Sequence, residues 1–268
     1  MELASGDVIT LGTTSKVFVH ISSQTEKKLP MEDVCYHQWP LPGVDQFGIF
    51  GICDGHGGAE AARSASKLLP EMTETSINHH YEGCTATVLL VWTDGDDNFF
   101  AQCANLGDSA CVVNIDGKLI KMTEDHRISS YTERLRIQET GEPLKEGETR
   151  LCGLNLARML GDKFLKQQDS RFSSEPYISR VVHINQASKA FALMASDGFW
   201  DVISAKKAVQ LVLAVLQTRE RYSTDGENLA EKIANILLSE ARTVRTKDNT
   251  SIIFLDFDSS RVSCKGVS

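Results

Sequence analysis

The chain has 268 residues, with 28 lysines and arginines against 36 aspartates and glutamates and a formal net charge of −8. Its length fits one large domain or two small ones, and 41% hydrophobic with 24% charged residues excludes a disordered or fibrous chain. The acidic balance argues against nucleic-acid binding, which usually needs a basic surface. The carboxylates either form a solvated surface or include a cluster that binds a divalent cation.

The seven cysteines contain no C-x-x-C pair, which argues against a zinc ribbon and a disulfide scaffold. Cys53, Cys103 and Cys111 lie in apolar runs, so we expect them to be reduced core residues. The first residues, MELASGDVITLG, have neither the basic nor the apolar region of a secretory signal, and no apolar run approaches the ~18 residues of a membrane span. We therefore expect a cytoplasmic protein, associated with a membrane only through segments outside this chain.

Short apolar or alternating runs predict strands through most of the chain. They cover residues 16–22, 33–39, 46–53, 85–92, 98–105, 109–115, 118–122, 178–184, 189–196 and 250–257. Several of these strands are separated only by short turns such as PLPGVD and TDGDD. Such short connections require antiparallel pairing, because a parallel crossover needs about a dozen residues.

Helical patterns are fewer and set apart from the strands. Residues 59–69 and 132–141 form two of them, and Ser204 caps a third. The third and fourth helices repeat apolar residues at helical spacing: Ala208, Leu211, Val212 and Val215, then Leu229, Ile233, Ile236 and Leu237. Helices segregated from antiparallel strands predict an α+β fold. Without a linker or repeat, we predict a single domain over residues 1–268.

Aspartates recur where predicted strands meet turns. Asp54, Asp108, Asp197 and Asp248 occupy four such points. Any one of them is an ordinary turn residue. Four carboxylates at one end of a sandwich, however, would repel each other unless cations neutralised them. Such hard oxygen ligands suit Mg²⁺ or Mn²⁺.

The segment Asp54-Gly55-His56-Gly57-Gly58 is the most informative one. Its glycines allow close backbone approach and leave a carbonyl free as a ligand, and His56 is a candidate general acid. The simpler interpretation is a glycine-rich entry to a helix. Upstream, Glu32 and Asp33 either contribute an acid to the same cluster or form a surface pair.

Eight ordered motifs resemble the type 2C metal-dependent Ser/Thr protein phosphatases over residues 15–258. They are Lys28-x-x-Met-Glu-Asp33, Asp54-Gly-His-Gly-Gly58, Glu82-Gly-Cys-Thr-Ala86, Asn105-x-Gly-Asp-Ser109, Thr123-x-Asp-His126, Leu156-Ala-Arg-Met-Leu-Gly-Asp162, Ser196-Asp-Gly-Phe-Trp-Asp-Val202 and Asp248-Asn-Thr250. Sequence segments such as KKLPMEDVC and QQDSRFSSEPYIS resemble the kinase-associated members of this family in plants. That resemblance implies phosphorylated receptor-like kinases as partners, with no nucleic acid, and a monomeric enzyme.

The resemblance also implies a four-layer α-β-β-α sandwich, with two antiparallel sheets flanked by helices and two Mg²⁺ or Mn²⁺ ions at one edge. The implied roles are Asp54 bridging both ions, Asp197 and Asp248 holding one, Glu32 and the Gly55 carbonyl holding the other, Asp33 and Asn249 orienting waters, Asp108 with Asp197 holding a weaker third ion, His56 as general acid, and Lys28 binding substrate phosphate.

Three departures from the family pattern stand out. Lys28 replaces a phosphate-binding arginine, so a bidentate fork becomes a point charge. Ala110 stands where many members have arginine. The stretch from Gly58 to Gly83 is short, which indicates either a deletion or an omitted segment.

Two rival functions remain open from the sequence. A pseudophosphatase that binds a kinase as a scaffold would usually lose some of the ligand residues retained here. A different metal hydrolase, such as a nuclease, is opposed by the net charge of −8.

Overall fold

The computed structural model describes residues 8–11, 15–24, 30–71, 79–94, 96, 98–222 and 229–257. Two six-stranded antiparallel sheets form its centre. In spatial order, the strands of the first sheet are β1 (Val8–Leu11), β2 (Ser15–Gln24), β15 (Thr250–Asp256), β14 (Ala190–Ala195), β9 (Ala110–Ile115) and β10 (Lys118–Lys121). The second sheet contains β12 (Tyr177–Ile178), β8 (Phe99–Leu106), β7 (Ala86–Thr93), β4 (Phe47–Cys53) and β3 (Val34–Gln38), with β13 (Val182–Ile184) also paired to β8.

Three two-residue strands form a small third sheet, in the order β11 (Leu160–Gly161), β6 (Gly83–Cys84) and β5 (Gly55–His56). The described helices are α1 (Glu60–Glu71), α2 (Tyr131–Glu139), α3 (Lys163–Gln168), α4 (Asp197–Trp200), α5 (Ala205–Tyr222) and α6 (Leu229–Thr243). None of these helices is long and apolar enough to cross a membrane.

Three apolar cores separate four layers. The central core joins the two large sheets and includes Phe50, Leu89, Val113 and Met194. A second core packs α5 and α6 onto β14 and β15, and a third packs α1 onto β3 and β4. Strands β4 and β14 are buried along nearly their whole length, so both of their faces are covered, and the predicted α+β four-layer sandwich is confirmed.

Most predicted elements are confirmed within one or two residues at their ends. The antiparallel hairpins are confirmed by the pairing of β3 with β4, β7 with β8 and β9 with β10. The three predicted core cysteines, Cys53, Cys103 and Cys111, are buried free thiols.

The predicted strand over residues 178–184 is confirmed only at its two ends, because the chain leaves the sheet between β12 and β13. The hydroxyl of Ser179 accepts a hydrogen bond from the Cys103 amide at 2.9 Å and donates to the Arg180 carbonyl. The Ser179 hydroxyl takes the place of a main-chain carbonyl as the acceptor for the Cys103 amide on β8. Arg180 and Val181 are therefore left out of the ladder.

Candidate metal centre

The predicted aspartates meet at one edge because of the strand registers. In the first sheet, Ala195 at the end of β14 lies opposite Ala110 at the start of β9 and Ile252 near the start of β15. Asp108 precedes β9, Asp197 follows β14 and Asp248 precedes β15, so all three belong to the same edge of that sheet. Asp54 directly follows β4 of the facing sheet.

Mutual repulsion shows how closely these carboxylates lie. Burial raises the pKa of Asp54 well above its usual range, and the nearby Asp33, Asp197 and Asp108 carboxylates raise it further. Burial, together with repulsion from Asp108 and Asp248, raises the pKa of Asp197 to about 7. Burial raises the pKa of Asp33, the nearby Ser251 and Ser196 side chains partly offset that rise, and Asp248 adds to it. Such a cluster favours protons or cations.

Main-chain hydrogen bonds and a close backbone approach also hold these residues together. The Glu32 amide donates to the Asn249 side-chain oxygen at 2.9 Å, and the Asn249 amide donates to the Asp248 carboxylate at 2.8 Å. A Cβ on Gly55 would lie 2.7 Å from the Glu32 carbonyl oxygen, closer than real contacts allow. Glycine at position 55 is therefore what lets these two segments approach each other.

The donor chemistry of this edge suits divalent cations. Both carboxylate oxygens of Asp33 are buried and lack a hydrogen-bond partner within the described part of the chain. Carboxylate oxygens are the ligands that Mg²⁺ and Mn²⁺ prefer. No three acidic, histidine or cysteine side chains among the described residues already form a coordination group.

The imidazole of His56 is held by another buried aspartate, Asp162. Its Nε2 lies 2.5 Å from Asp162 Oδ2, and the Asp162 side chain is 4% exposed. Asp162 adopts a left-handed backbone conformation with φ of 45°. A Cβ on Gly83 would meet both Asp162 Oδ2 and His56 Nε2 at 2.4 Å or less, so glycine is required there. The pair orients the imidazole at the rim of the acidic edge.

An arginine spans the place suggested for a third cation. Arg127 Nε donates to Asp108 Oδ2 at 2.7 Å, and its Nη2 lies 2.7 Å from Asp201 Oδ1 and 3.3 Å from Asp197 Oδ2. Burial raises the pKa of Asp108, and the Arg127 guanidinium partly offsets that rise. Asp108 and Asp197 are thus brought together, with a side chain as the cation between them.

The structure gathers nine of the ten predicted site residues, whereas Lys28 lies outside the described residues. Those gathered are Glu32, Asp33, Asp54, Gly55, His56, Asp108, Asp197, Asp248 and Asn249. Sequence reasoning assigned no role to Arg127, Asp162 and Asp201. Their only signal was position: each lies within, or directly after, a motif that also carries a predicted site residue or resembles the family.

Comparison with known proteins agrees with this architecture. The family model described as protein phosphatase 2C matches residues 70–250. The chain is 56% identical to protein phosphatase 2C 70 of Arabidopsis thaliana over 97% of its own length, and 34% identical to a probable protein phosphatase of Dictyostelium discoideum over 86%. A serine-threonine phosphatase 2C from Toxoplasma gondii shares the fold, with a TM-score of 0.70 at 18% identity over 96% of this chain and 99% of that one.

The chain spans only part of those two curated relatives. It covers 53% of the Arabidopsis protein and 25% of the Dictyostelium protein. The Arabidopsis alignment extends over 312 positions, more than the 268 residues of this chain. The alignment therefore includes positions of that relative that have no counterpart in this chain.

Proposed function

Because the chain belongs to the protein phosphatase 2C family, we propose that it hydrolyses phosphoserine and phosphothreonine in proteins with the help of two Mg²⁺ or Mn²⁺ ions. The observation that carries this proposal is the cluster of buried, mutually repelling carboxylates around Asp54. Folding such a cluster is costly unless cations or protons offset its charge, and unusual pKa values of this kind concentrate at functional sites.

The ligand roles follow from position and donor type. Asp54 would contact both ions, with Asp197 and Asp248 on one and Glu32 and the Gly55 carbonyl on the other. Asp33 and Asn249 would orient water at the same edge. When bound, the two ions supply a nucleophile near neutral pH and offset the charge of the phosphoryl oxygens.

His56 would donate the proton to the departing serine or threonine oxygen. With Nε2 held by Asp162, the other ring nitrogen is the one left for the leaving group. A serine alkoxide is a poor leaving group, so a proton donor at this point speeds the reaction by about 10²–10⁴-fold. Lys28 would bind a non-bridging phosphate oxygen as a point charge.

The finer assignments depend on the resemblance to kinase-associated plant phosphatases. They are phosphorylated receptor-like kinases as substrates, a cytoplasmic location and a monomeric state. An inactive scaffold is the weaker alternative, since Glu32, Asp54, His56, Asp197 and Asp248 are all present.

Phosphate release from a phosphothreonine peptide tests the proposal. We expect turnover with Mn²⁺ or Mg²⁺, loss of turnover with chelator, and recovery when the ion is restored. Turnover that persists after complete metal removal would exclude the mechanism. Binding of a phosphorylated kinase domain without any turnover would favour the scaffold.

A further inference from the structure

We propose that a cavity beside the acidic edge binds a lysine or arginine side chain of the phosphoprotein substrate, close in sequence to the phosphorylated residue. This inference deepens the proposed phosphatase function and rests on it. It makes the enzyme selective for basic sequence around the phosphosite.

The cavity has a volume of about 340 Å³ and adjoins the candidate centre. Asp108, Asp201 and Arg127, which form the ion-pair group at the acidic edge, also line the cavity. A peptide whose phosphate lies at that edge would therefore place neighbouring side chains at the cavity. Its remaining walls come from β9, β10 and the chain leading into α5.

Its walls suit a long aliphatic stem. Ala110, Val112, Leu119, Ile203 and Ala205 supply apolar surface. Lysine and arginine bury such stems along apolar surface while their charged ends reach polar groups. A short acidic side chain could not fill this space with favourable contacts.

Trp200 adds a rigid aromatic wall. Its indole Nε1 donates to the Ala110 carbonyl at 3.1 Å and to the Ala195 carbonyl at 3.0 Å, and Phe199 packs edge-on with ring centroids 4.9 Å apart. The indole is therefore fixed before any ligand arrives. A cation over the face of an indole ring is attracted by the ring's electron density.

The charge balance also favours a basic guest. Four acidic residues line the cavity, Asp108, Glu124, Asp125 and Asp201, against the two cations Lys121 and Arg127. The guanidinium of Arg127 is already engaged with Asp108, Asp197 and Asp201. The carboxylates of Glu124 and Asp125 thus give the cavity an excess of negative charge, which attracts a cation and repels an acidic residue.

The test measures kcat/KM with Mn²⁺ on phosphothreonine peptides that carry one arginine at each of three positions on either side of the phosphothreonine. Matched peptides carry norleucine, which has a similar stem without charge, or glutamate. We expect arginine to exceed norleucine by about tenfold at one or more positions, equivalent to ~1.4 kcal/mol. Glutamate should be the poorest at the same positions.

Two variants assign the preference to the cavity. Ala110→Arg should reduce the arginine preference below about twofold by occupying the space, and Glu124→Gln should reduce it partly without filling the space. Turnover of p-nitrophenyl phosphate, which has no flanking residues, should be unchanged in both. Ala187→Arg, the same substitution in an exposed turn before β14, should leave the preference intact.

A wild-type enzyme without any basic preference, or a preference that survives Ala110→Arg, would overturn the inference. If Ala110→Arg fails to fold, the Glu124→Gln result decides. If the wild type turns over neither peptides nor p-nitrophenyl phosphate, the proposed function fails separately. Fluorescence anisotropy of the arginine and norleucine peptides on wild type and Glu124→Gln then still tests the pocket, and equal affinities would contradict it.

Discussion

The fold buries carboxylates in two regions, and the two regions differ in whether these carboxylates have partners. On α2, Glu133 is fully buried, and Arg136 and Arg158 both pair with it; the Arg158 Nε lies 2.9 Å from its Oε2. At the acidic edge, Asp33 is also buried, with 6% of its surface exposed, but its carboxylate oxygens have no hydrogen-bond partner within the described part of the chain. The strongest effects of neighbouring charges on Asp54 come from other carboxylates.

The difference separates structure from function. A buried carboxylate enclosed by two guanidinium groups is electrostatically complete, so it needs nothing from solution. A buried carboxylate surrounded by like charges lacks its counter-ion, and a divalent cation is the natural one. Arg127 lies between these cases, since it completes Asp108 and Asp201 while touching Asp197 at the rim of the unsatisfied group.

The largest expected effect is loss of turnover at the acidic edge. Asp54→Asn and Asp197→Asn should each abolish phosphopeptide hydrolysis, because a neutral amide is a poor ligand for a hard cation. Circular dichroism should show an intact fold, since each change also removes repulsion. A variant that keeps more than about a tenth of the wild-type rate, a loss under ~1.4 kcal/mol, would contradict these ligand roles.

Removing the fully paired carboxylate of Glu133 should affect stability rather than turnover. Glu133→Ala leaves two partly buried guanidinium groups unpaired and should lower the free energy of unfolding by about 3–5 kcal/mol, measured by urea denaturation. Glu139→Ala, at an exposed position on the same helix, is the matched control. The rate per folded Glu133→Ala molecule should stay near wild type. A selective loss of rate with normal stability would remove the distinction between the two regions.

The third effect lies at the boundary of the acidic edge, where Asp162 orients His56. His56→Gln should slow phosphopeptide hydrolysis by about 10²–10³-fold and affect p-nitrophenyl phosphate much less, because that leaving group needs little protonation. Asp162→Asn should reproduce this pattern to a smaller degree, and the double variant should be no slower than His56→Gln. Equal losses on both substrates would indicate a structural role for the pair.

The sequence predicts the acidic edge but not the paired Glu133. Asp54, Asp197 and Asp248 were predicted as a cluster because each lies where a strand meets a turn, and strand periodicity is a strong local signal. The α5 and α6 helices were equally clear, because their apolar residues recur at helical spacing over many turns. The family resemblance supplied the layer order that periodicity alone leaves open.

The contacts of Arg127 and Asp162 could not be predicted in this way. Arg127 lies 70 positions from Asp197, and His56 lies 106 positions from Asp162. Such pairs depend on how loops return to the sheet edge, and no local periodicity reports that. The break at Ser179 was missed for a related reason, since a single side-chain hydrogen bond overrides an otherwise convincing strand pattern.

The smallest expected effect is thermal, and it uses pH to compare the two regions. Without cations, the pKa of Asp197 is raised to about 7, whereas an unfolded aspartate has a pKa of about 3.9. As pH rises between these values, the unfolded chain loses its proton first, so this group makes the metal-free fold progressively less stable up to about pH 7. Cations reverse the penalty, because they bind only the deprotonated carboxylates.

Saturating Mg²⁺ should therefore raise the melting temperature more at pH 8 than at pH 5.5, by about 5 °C. Differential scanning fluorimetry with Mg²⁺ and with chelator at both pH values measures this increment. Burial lowers the pKa of His126 to about 3, so this residue makes the fold less stable as pH falls below about 6.5. That contribution is the same with and without Mg²⁺, so it cancels in the increment.

In Asp197→Asn the increment should shrink at both pH values, whereas Glu133→Ala should retain it even though its melting temperature is lower throughout. An increment that is independent of pH in the wild type would show that the acidic edge does not exchange protons for cations.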